Sequence, residues 1–401
     1  MDLTLLNKHW KDGFLYPFPE KRNLYSLLEE SLKRKFITSL IGLRRIGKTT
    51  LLKQLINYLI EQGVPRQNVF FYSFDEPIEL TMLMDEYFKV SLQEKEQGTF
   101  YFFLDEIQKL PEWQNKVKPY YDHYPNFKFV ISGSSSLFIR KKSESLAGRI
   151  EEFLLSPLSF SEFLRFRGKK EFISKKNLFA SEVSQELEIF SSRQFIDILH
   201  ENKEVVDSYL DTLARKIIFE DIPLVYPVEQ PQVLLKIFTI ISATPGMLLD
   251  YRSLSSDLAI NEKTLSNYVY YLEMAFLIKK LYNYSSNYLT SEKKLKKVYP
   301  LASSFCRSSL PQTMESLAVT QMDCSFFWRK THEVDCIVEK KGKLLPIEVK
   351  YTNTIKEGEL KGLKKFMEEF KVQQGIVLTK NLEKKTGPIH YFPLWKWLLE
   401  E

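Results

Sequence analysis

One run of eight residues constrains this chain more than anything else in it. Gly42-Leu-Arg-Arg-Ile-Gly47-Lys48-Thr49 matches G-x-x-x-x-G-K-[ST] at every position. The pattern has physical meaning only between a buried strand and the start of a helix, and both flanks supply that context. Residues 36–42, Phe-Ile-Thr-Ser-Leu-Ile-Gly, read as a short buried strand, and helical spacing follows over 48–61. The glycines let main-chain N–H groups curl around phosphate oxygens, and the helix dipole adds attraction for the anion. Lys48 is then expected to reach the β- and γ-phosphates of ATP, and the Thr49 hydroxyl to coordinate Mg²⁺. The chain has only 14 glycines, which makes a chance match harder to obtain.

Residues 68–74, 99–104 and 127–132 read as further apolar strands separated by helical stretches. Strands apolar almost throughout predict a parallel sheet covered on both faces, hence an α/β domain. Tyr101-Phe-Phe-Leu-Asp105-Glu106 ends a buried strand in two carboxylates at the edge where such sheets bind ligands. Asp105 is expected to hold Mg²⁺ through water, and Glu106 to polarise the attacking water. Ser134, at the tip of the next strand, is the candidate sensor of the γ-phosphate. Arg149, in Leu146-Ala-Gly-Arg, is either a surface residue or a catalytic arginine acting in the same or a neighbouring subunit. Arg44, Arg45 and Thr50 complete the candidate nucleotide-binding set with Gly42, Gly47, Lys48 and Thr49.

These motifs, together with Ile-Ser-Gly-Ser-Ser-Ser and Leu-Ser-Pro-Leu-Ser-Phe-Ser-Glu-Phe, resemble a family of prokaryotic ATP-binding proteins. Its members join an AAA-type ATPase domain to a C-terminal domain of uncharacterised function. The resemblance extends over nearly the whole chain and implies an AAA-like nucleotide site with a helical lid. The Asp expected in that family near Lys297-Val-Tyr-Pro is replaced here around Leu301-Ala-Ser.

Residues 253–278 read as helix-turn-helix. Leu254, Leu258 and Ile260 form one apolar face, and Asn261 is placed to cap a second helix carrying Leu265, Val269, Leu272 and Phe276. Its other side offers Lys263, Ser266, Asn267 and Tyr270, with a wing expected around 285–287 and Lys293, Lys294, Lys296 and Lys297 trailing it. This looks like a winged-helix domain, as the family resemblance also implies. Lys263, Ser266, Asn267, Lys293 and Lys294 are the candidate DNA contacts, against the plainer reading of a protein-docking face with solvated lysines.

Near the C-terminus, Glu333-Val-Asp335 opens one strand and Ile347-Glu348-Val-Lys350 closes another. Period-two alternation puts Glu348 and Lys350 on one face. If the strands pair, Asp335 approaches Glu348 and the two carboxylates can hold a second divalent metal, with Lys350 activating water and Glu315 completing the cluster. The spacing resembles the D-x(n)-E-x-K core of restriction-endonuclease-like, PD-(D/E)XK, nucleases. A structural ion pair is the competing reading.

The expected architecture is therefore an AAA-type P-loop core over 1–158, a helical lid over 159–230, a winged helix over 231–296 and a nuclease-like α/β domain over 297–401. Lys+Arg number 57 against 51 Asp+Glu, so the formal charge of +6 permits an acidic partner without requiring one. Three scattered cysteines predict reduced thiols rather than a disulfide or zinc framework. No signal peptide is evident, and no apolar run reaches the roughly 18 residues that span a bilayer, so a cytoplasmic protein without a membrane partner is expected. The leading expectation is an Mg²⁺-dependent ATPase whose nucleotide state controls a module acting on DNA. The alternatives are a nucleotide-dependent protein-binding switch with an inactive nuclease-like platform, and a silent ATPase attached to a DNA-cleaving domain. A homo-oligomer is compatible with each.

Overall fold

Strand β1 (Ile37–Ile41) is buried along its whole length and is flanked by strands that hydrogen-bond to both of its edges. The computed structural model describes residues 2–91, 98–134, 146, 148–322, 324–340 and 342–400, side chains at 91, 288, 293, 340 and 357 excepted. It divides into two units, Met1–Ser156 and Pro157–Glu401. In the first, β2 (Val69–Ser73), β3 (Phe100–Asp105), β4 (Phe127–Gly133) and β5 (Ile150–Leu154) join β1 in the order β2-β3-β4-β1-β5, every pair parallel. Helices Lys48–Glu61, Leu80–Ser91 and Trp113–His123 supply the crossovers. This is the α/β arrangement expected from the strand and helix signals. Phe102 shows what the aromatic residues do: its ring centroid lies 4.8 Å from that of Phe127, 5.2 Å from Phe129 and 5.3 Å from Tyr87.

The N-terminal segment covers the β2 edge. Trp10 Nε1 donates to Val69 O at 2.8 Å, His9 Nε2 donates to the same oxygen at 2.8 Å, and Asn7 Oδ1 accepts from Phe71 N at 2.7 Å. An edge strand left open would offer its backbone to other chains. Burial, with a smaller push from Arg66 and against the Val69 bond, lowers His9 to about 4. Between pH 4 and its ordinary value of about 6.5 the unfolded chain therefore binds more protons at this site than the native one. Stability should rise with pH across that window, and a His9→Asn variant should show a flatter dependence of melting temperature there. An equal slope in both proteins would contradict the assignment.

In the second unit, β6 (Met247–Leu249), β7 (Ile278–Asn283), β8 (Lys296–Pro300), β9 (Phe326–Arg329), β10 (Glu333–Lys340), β11 (Lys343–Lys350), β12 (Gly375–Thr379), β13 (Lys384–Thr386) and β14 (Ile389–Pro393) form one mixed sheet. Its order is β13-β14-β12-β11-β10-β9-β7-β8-β6. A parallel pairing of Tyr282 with Phe326 joins β7 to β9, so the expected wing strands and the expected nuclease-like strands share a sheet. The helical stretch from Phe160 to Phe190 packs Phe163, Val183, Leu187 and Phe190 into a core shared with Leu317 and Ile347. The turn expected at 285–287 is longer than a hairpin, because helix Tyr288–Lys293 lies between β7 and β8.

Cys324 and Cys336 are joined in a disulfide with Cα atoms 5.8 Å apart, contrary to the expectation of reduced thiols. Pairing of β9 with β10 brings together two residues that are 12 apart in sequence. Among the described residues, no helix is long and apolar enough to cross a membrane.

Candidate functional site

The phosphate loop begins where β1 ends. Gly42 has φ 149° and passes so close to residue 155 that a Cβ would stand 2.3 Å from the Leu155 carbonyl oxygen. Only glycine fits there. Leu43 and Ile46 are buried and anchor the loop, while Gly47, at φ 96°, caps helix Lys48–Glu61. Arg22, for which the sequence offered no signal, is buried beneath the loop. Its Nη1 donates to Ile46 O at 2.8 Å and its Nη2 to Ser156 O at 2.7 Å.

Lys48 lies over its own loop, with Nζ donating to Gly42 O at 3.0 Å and Leu43 O at 2.9 Å. Thr49 Oγ1 donates to Asp105 Oδ2 at 2.6 Å, joining the loop to the tip of β3. The other carboxylate oxygen, Oδ1, accepts from the Ser132 hydroxyl and from Glu106 N, the latter at 3.1 Å. Three donors fix the orientation of a carboxylate that is almost fully buried. A buried ammonium, a hydroxyl and an oriented carboxylate thus meet around one glycine-lined loop. This donor set fits a nucleoside triphosphate with Mg²⁺.

Glu106 follows in the left-handed region at φ 50°. Its Oε2 accepts from Gln108 Nε2, which also donates to Ser134 Oγ at 3.1 Å. Gln108 was visible in Asp-Glu-Ile-Gln but carried no assigned role. It bridges the expected base to the expected sensor, and Gly133 makes room for it, since a Cβ there would lie 2.6 Å from Gln108 Oε1. Arg44 and Thr50 are half-buried on the flanks of the loop and Arg45 is exposed.

Arg149 is not brought to this edge. Its carbonyl accepts from Ile37 N at 2.8 Å, which places it where β1 begins. The phosphate loop leaves the opposite end of that strand, ~16 Å away for five residues at about 3.3 Å each. Arg149 Nη2 pairs instead with Asp122 Oδ1 at 3.2 Å. A role on the phosphate of its own chain is therefore corrected.

Near the C-terminus, β10 and β11 pair antiparallel with Cys336 opposite Ile347, so Asp335 and Glu348 face each other one step on. Asp335 Oδ2 accepts from Val349 N at 2.9 Å, and Lys350 Nζ donates to Glu348 Oε1 at 2.7 Å. Glu315, on helix Leu310–Gln321, accepts from Tyr299 OH at 2.8 Å. Into this group comes Lys297, expected among the lysines trailing the wing, either on nucleic-acid phosphate or solvated. Its Nζ lies 3.4 Å from Glu315 Oε1 and 3.7 Å from Asp335 Oδ1, and it also pairs with Glu333.

Burial alone would lower the Lys297 pKa, but Asp335, Glu315 and Glu333 outweigh it and raise it. Burial, then Asp335, push Glu315 above the usual carboxyl range against the pull of Lys297; the same two causes raise Glu348 against Lys350. Among the described residues, no three His, Cys, Asp or Glu side chains are arranged to hold a metal ion. A second divalent metal on Asp335 and Glu348 does not fit this arrangement, because a buried ammonium already stands among the carboxylates.

Asn261 Oδ1 accepts from Thr264 N at 2.7 Å and caps helix Glu262–Met274, whose Leu265, Val269 and Leu272 are buried. Phe276 lies beyond the helix at φ 60°. Lys263, Ser266 and Asn267 are exposed, as is Glu262. Lys294 is half-buried, with Nζ 3.5 Å from Tyr284 O, and the Lys293 side chain lies outside the described residues.

Residues 34–164 match a family described as an AAA domain, and residues 197–314 and 312–397 match two domains of unknown function, DUF8612 and DUF4143. An uncharacterized protein of Haemophilus influenzae is 28% identical over 259 residues, or 62% of this chain and 63% of that protein. The chain thus spans less than two thirds of that relative. The uncharacterized protein MJ1544 of Methanocaldococcus jannaschii is 26% identical over 90% of this chain and 88% of its own length. The solved Walker-type ATPase paby2304 of Pyrococcus abyssi is 18% identical, with a TM-score of 0.43 over 72% of this chain and 99% of that one. The first unit carries an AAA-type P-loop domain.

Proposed function

We propose, from the AAA domain at residues 34–164, that this chain binds ATP with Mg²⁺ and hydrolyses it, and that the nucleotide state governs how its second unit engages DNA. The 2.6 Å bond between Thr49 and Asp105 carries the first half of this reading, because it places the hydroxyl and carboxylate of two separate motifs together. Lys48 would hold the β- and γ-phosphates, Gly42 and Gly47 allow the loop to wrap them, and Thr49 with Asp105 would hold the metal. When bound, Mg²⁺ supplies charge neutralisation at the phosphate oxygens. Glu106 orients the attacking water and takes its proton, and Gln108 and Ser134 position that carboxylate. Arg149, at the opposite end of β1, would serve the phosphate of a neighbouring copy or remain a surface residue paired with Asp122.

The second half rests on element order. Helix Pro231–Ala243, β6, helices Tyr251–Asp257 and Glu262–Met274, then β7 and β8 follow the sequence of a winged helix, with Lys263, Ser266 and Asn267 on the exposed face. Phosphate release should rise with duplex DNA present. Two phosphate contacts through Lys263 and Lys294 should cost about tenfold in DNA affinity between 50 and 200 mM salt, and Lys263→Glu should flatten that dependence. Salt-independent binding, or unchanged turnover with DNA, would leave the protein-binding switch as the better reading. The Lys297 ammonium standing among these carboxylates favours a platform that does not cut.

A further inference from the structure

We infer that the carboxylates of Glu315, Glu333 and Asp335 take their cation from the chain itself, the Lys297 ammonium of β8. They form a clasp that fastens β8 to the β10–β11 hairpin, and are not the divalent-metal site of a phosphodiesterase.

Lys296 and Lys297 are adjacent in β8, so their side chains leave opposite faces. Lys296 pairs with Glu292 at 3.5 Å and lies over the Tyr282 ring, 5.1 Å from its centroid. Lys297 points the other way, with a side chain only 5% exposed. Its register partners, Leu281 on β7 and Leu248 on β6, hold it there from both sides of the strand. Tyr299, two residues on and on the same face, donates to Glu315. One face of β8 thus presents an ammonium and a phenol to a group of acids.

Each carboxylate that a metal would recruit already has a cation or a hydrogen-bond donor on at least one oxygen, although Glu348 Oε2 is buried with no hydrogen-bond partner among the described residues. Glu315 meets Tyr299 and Lys297, Glu333 meets Lys297 and Arg329, Asp335 meets Lys297 and the Val349 amide, and Glu348 meets Lys350. A divalent ion bound by Asp335 would have to sit beside a buried positive charge 3.7 Å from that carboxylate, or displace it. Buried charges persist only when paired, and here the pairing partners for three acids come from one lysine supplied by a different part of the sheet. Gly246 closes the group from one side, where a Cβ would approach Tyr299 OH to 3.0 Å and Glu315 Oε1 to 3.2 Å. This inference does not depend on the ATPase reading.

The test is Mn²⁺ titration of the full-length, nucleotide-free protein by calorimetry, comparing wild type with Asp335→Asn and Lys297→Ala. Wild type and Asp335→Asn should give superimposable isotherms, whereas Lys297→Ala should gain one Mn²⁺ site per chain that a further Asp335→Asn change removes. A wild-type site abolished by Asp335→Asn would overturn the inference. So would a folded Lys297→Ala protein that gains none. Should Lys297→Ala fail to fold, the wild-type comparison, repeated with Glu315→Gln, still decides.

Discussion

Glu106→Gln is expected to slow ATP hydrolysis by about 10²–10⁴-fold while ATP affinity stays within a few-fold of wild type. The substitution keeps the size of the side chain and removes only its capacity to take a proton. The binding groups, Lys48, Thr49 and Asp105, lie on other hydrogen bonds and are untouched. Glu106 is held at φ 50° by its N–H bond to Asp105, so the backbone that aims the side chain also survives. Gln108 can still hydrogen-bond to the new amide oxygen and to Ser134, which preserves the geometry while the chemistry is lost. Single-turnover phosphate release and a separate nucleotide-binding titration make the comparison. Wild-type turnover in the variant would remove Glu106 as the base, and lost binding would place it in the binding set instead.

Lys297→Met should destabilise the second unit by about 3–5 kcal/mol, the cost of removing one partner from a buried ionic group. Methionine fills much of the volume, so cavity formation contributes little, and the loss reflects three carboxylates left facing one another. The sign of the pH dependence follows from the raised Glu315 pKa. Burial and Asp335 lift it above its unfolded value, and Lys297 opposes them. Removing that opposition lifts it further. The native variant then binds more protons than its unfolded chain from about pH 4 upward, so its stability falls as pH rises through that window. Urea unfolding at pH 6 and pH 8 should show a larger deficit at pH 8. A variant as stable as wild type at both would mean that the ammonium contributes nothing to the cluster.

Contiguous chemistry was legible in the chain. The phosphate loop, the acidic tip of β3 and the paired strands carrying Asp335 and Glu348 follow from short patterns whose spacing maps onto strand and helix periods. The α/β order of the first unit followed in the same way, because the strands read as such were almost wholly apolar. Strand β5 was missed because Ile-Glu-Glu-Phe-Leu is an edge segment with, among the described residues, no strand on its outer side, half exposed and carrying two acids.

What the tertiary structure alone decided were the relations between distant residues. Nothing local tells Lys297 from Lys296, since a shift of one residue in strand register would exchange the buried side chain for the partly exposed one. Nothing local places Arg149 at the far end of β1, Arg22 under the loop or Cys324 beside Cys336. The sequence determined which chemical groups are available and which stretches form strands and helices, because those depend on neighbours a few residues away. Which groups meet depends on pairing and burial across the whole sheet, where the cost of an unpaired buried charge selects the partner.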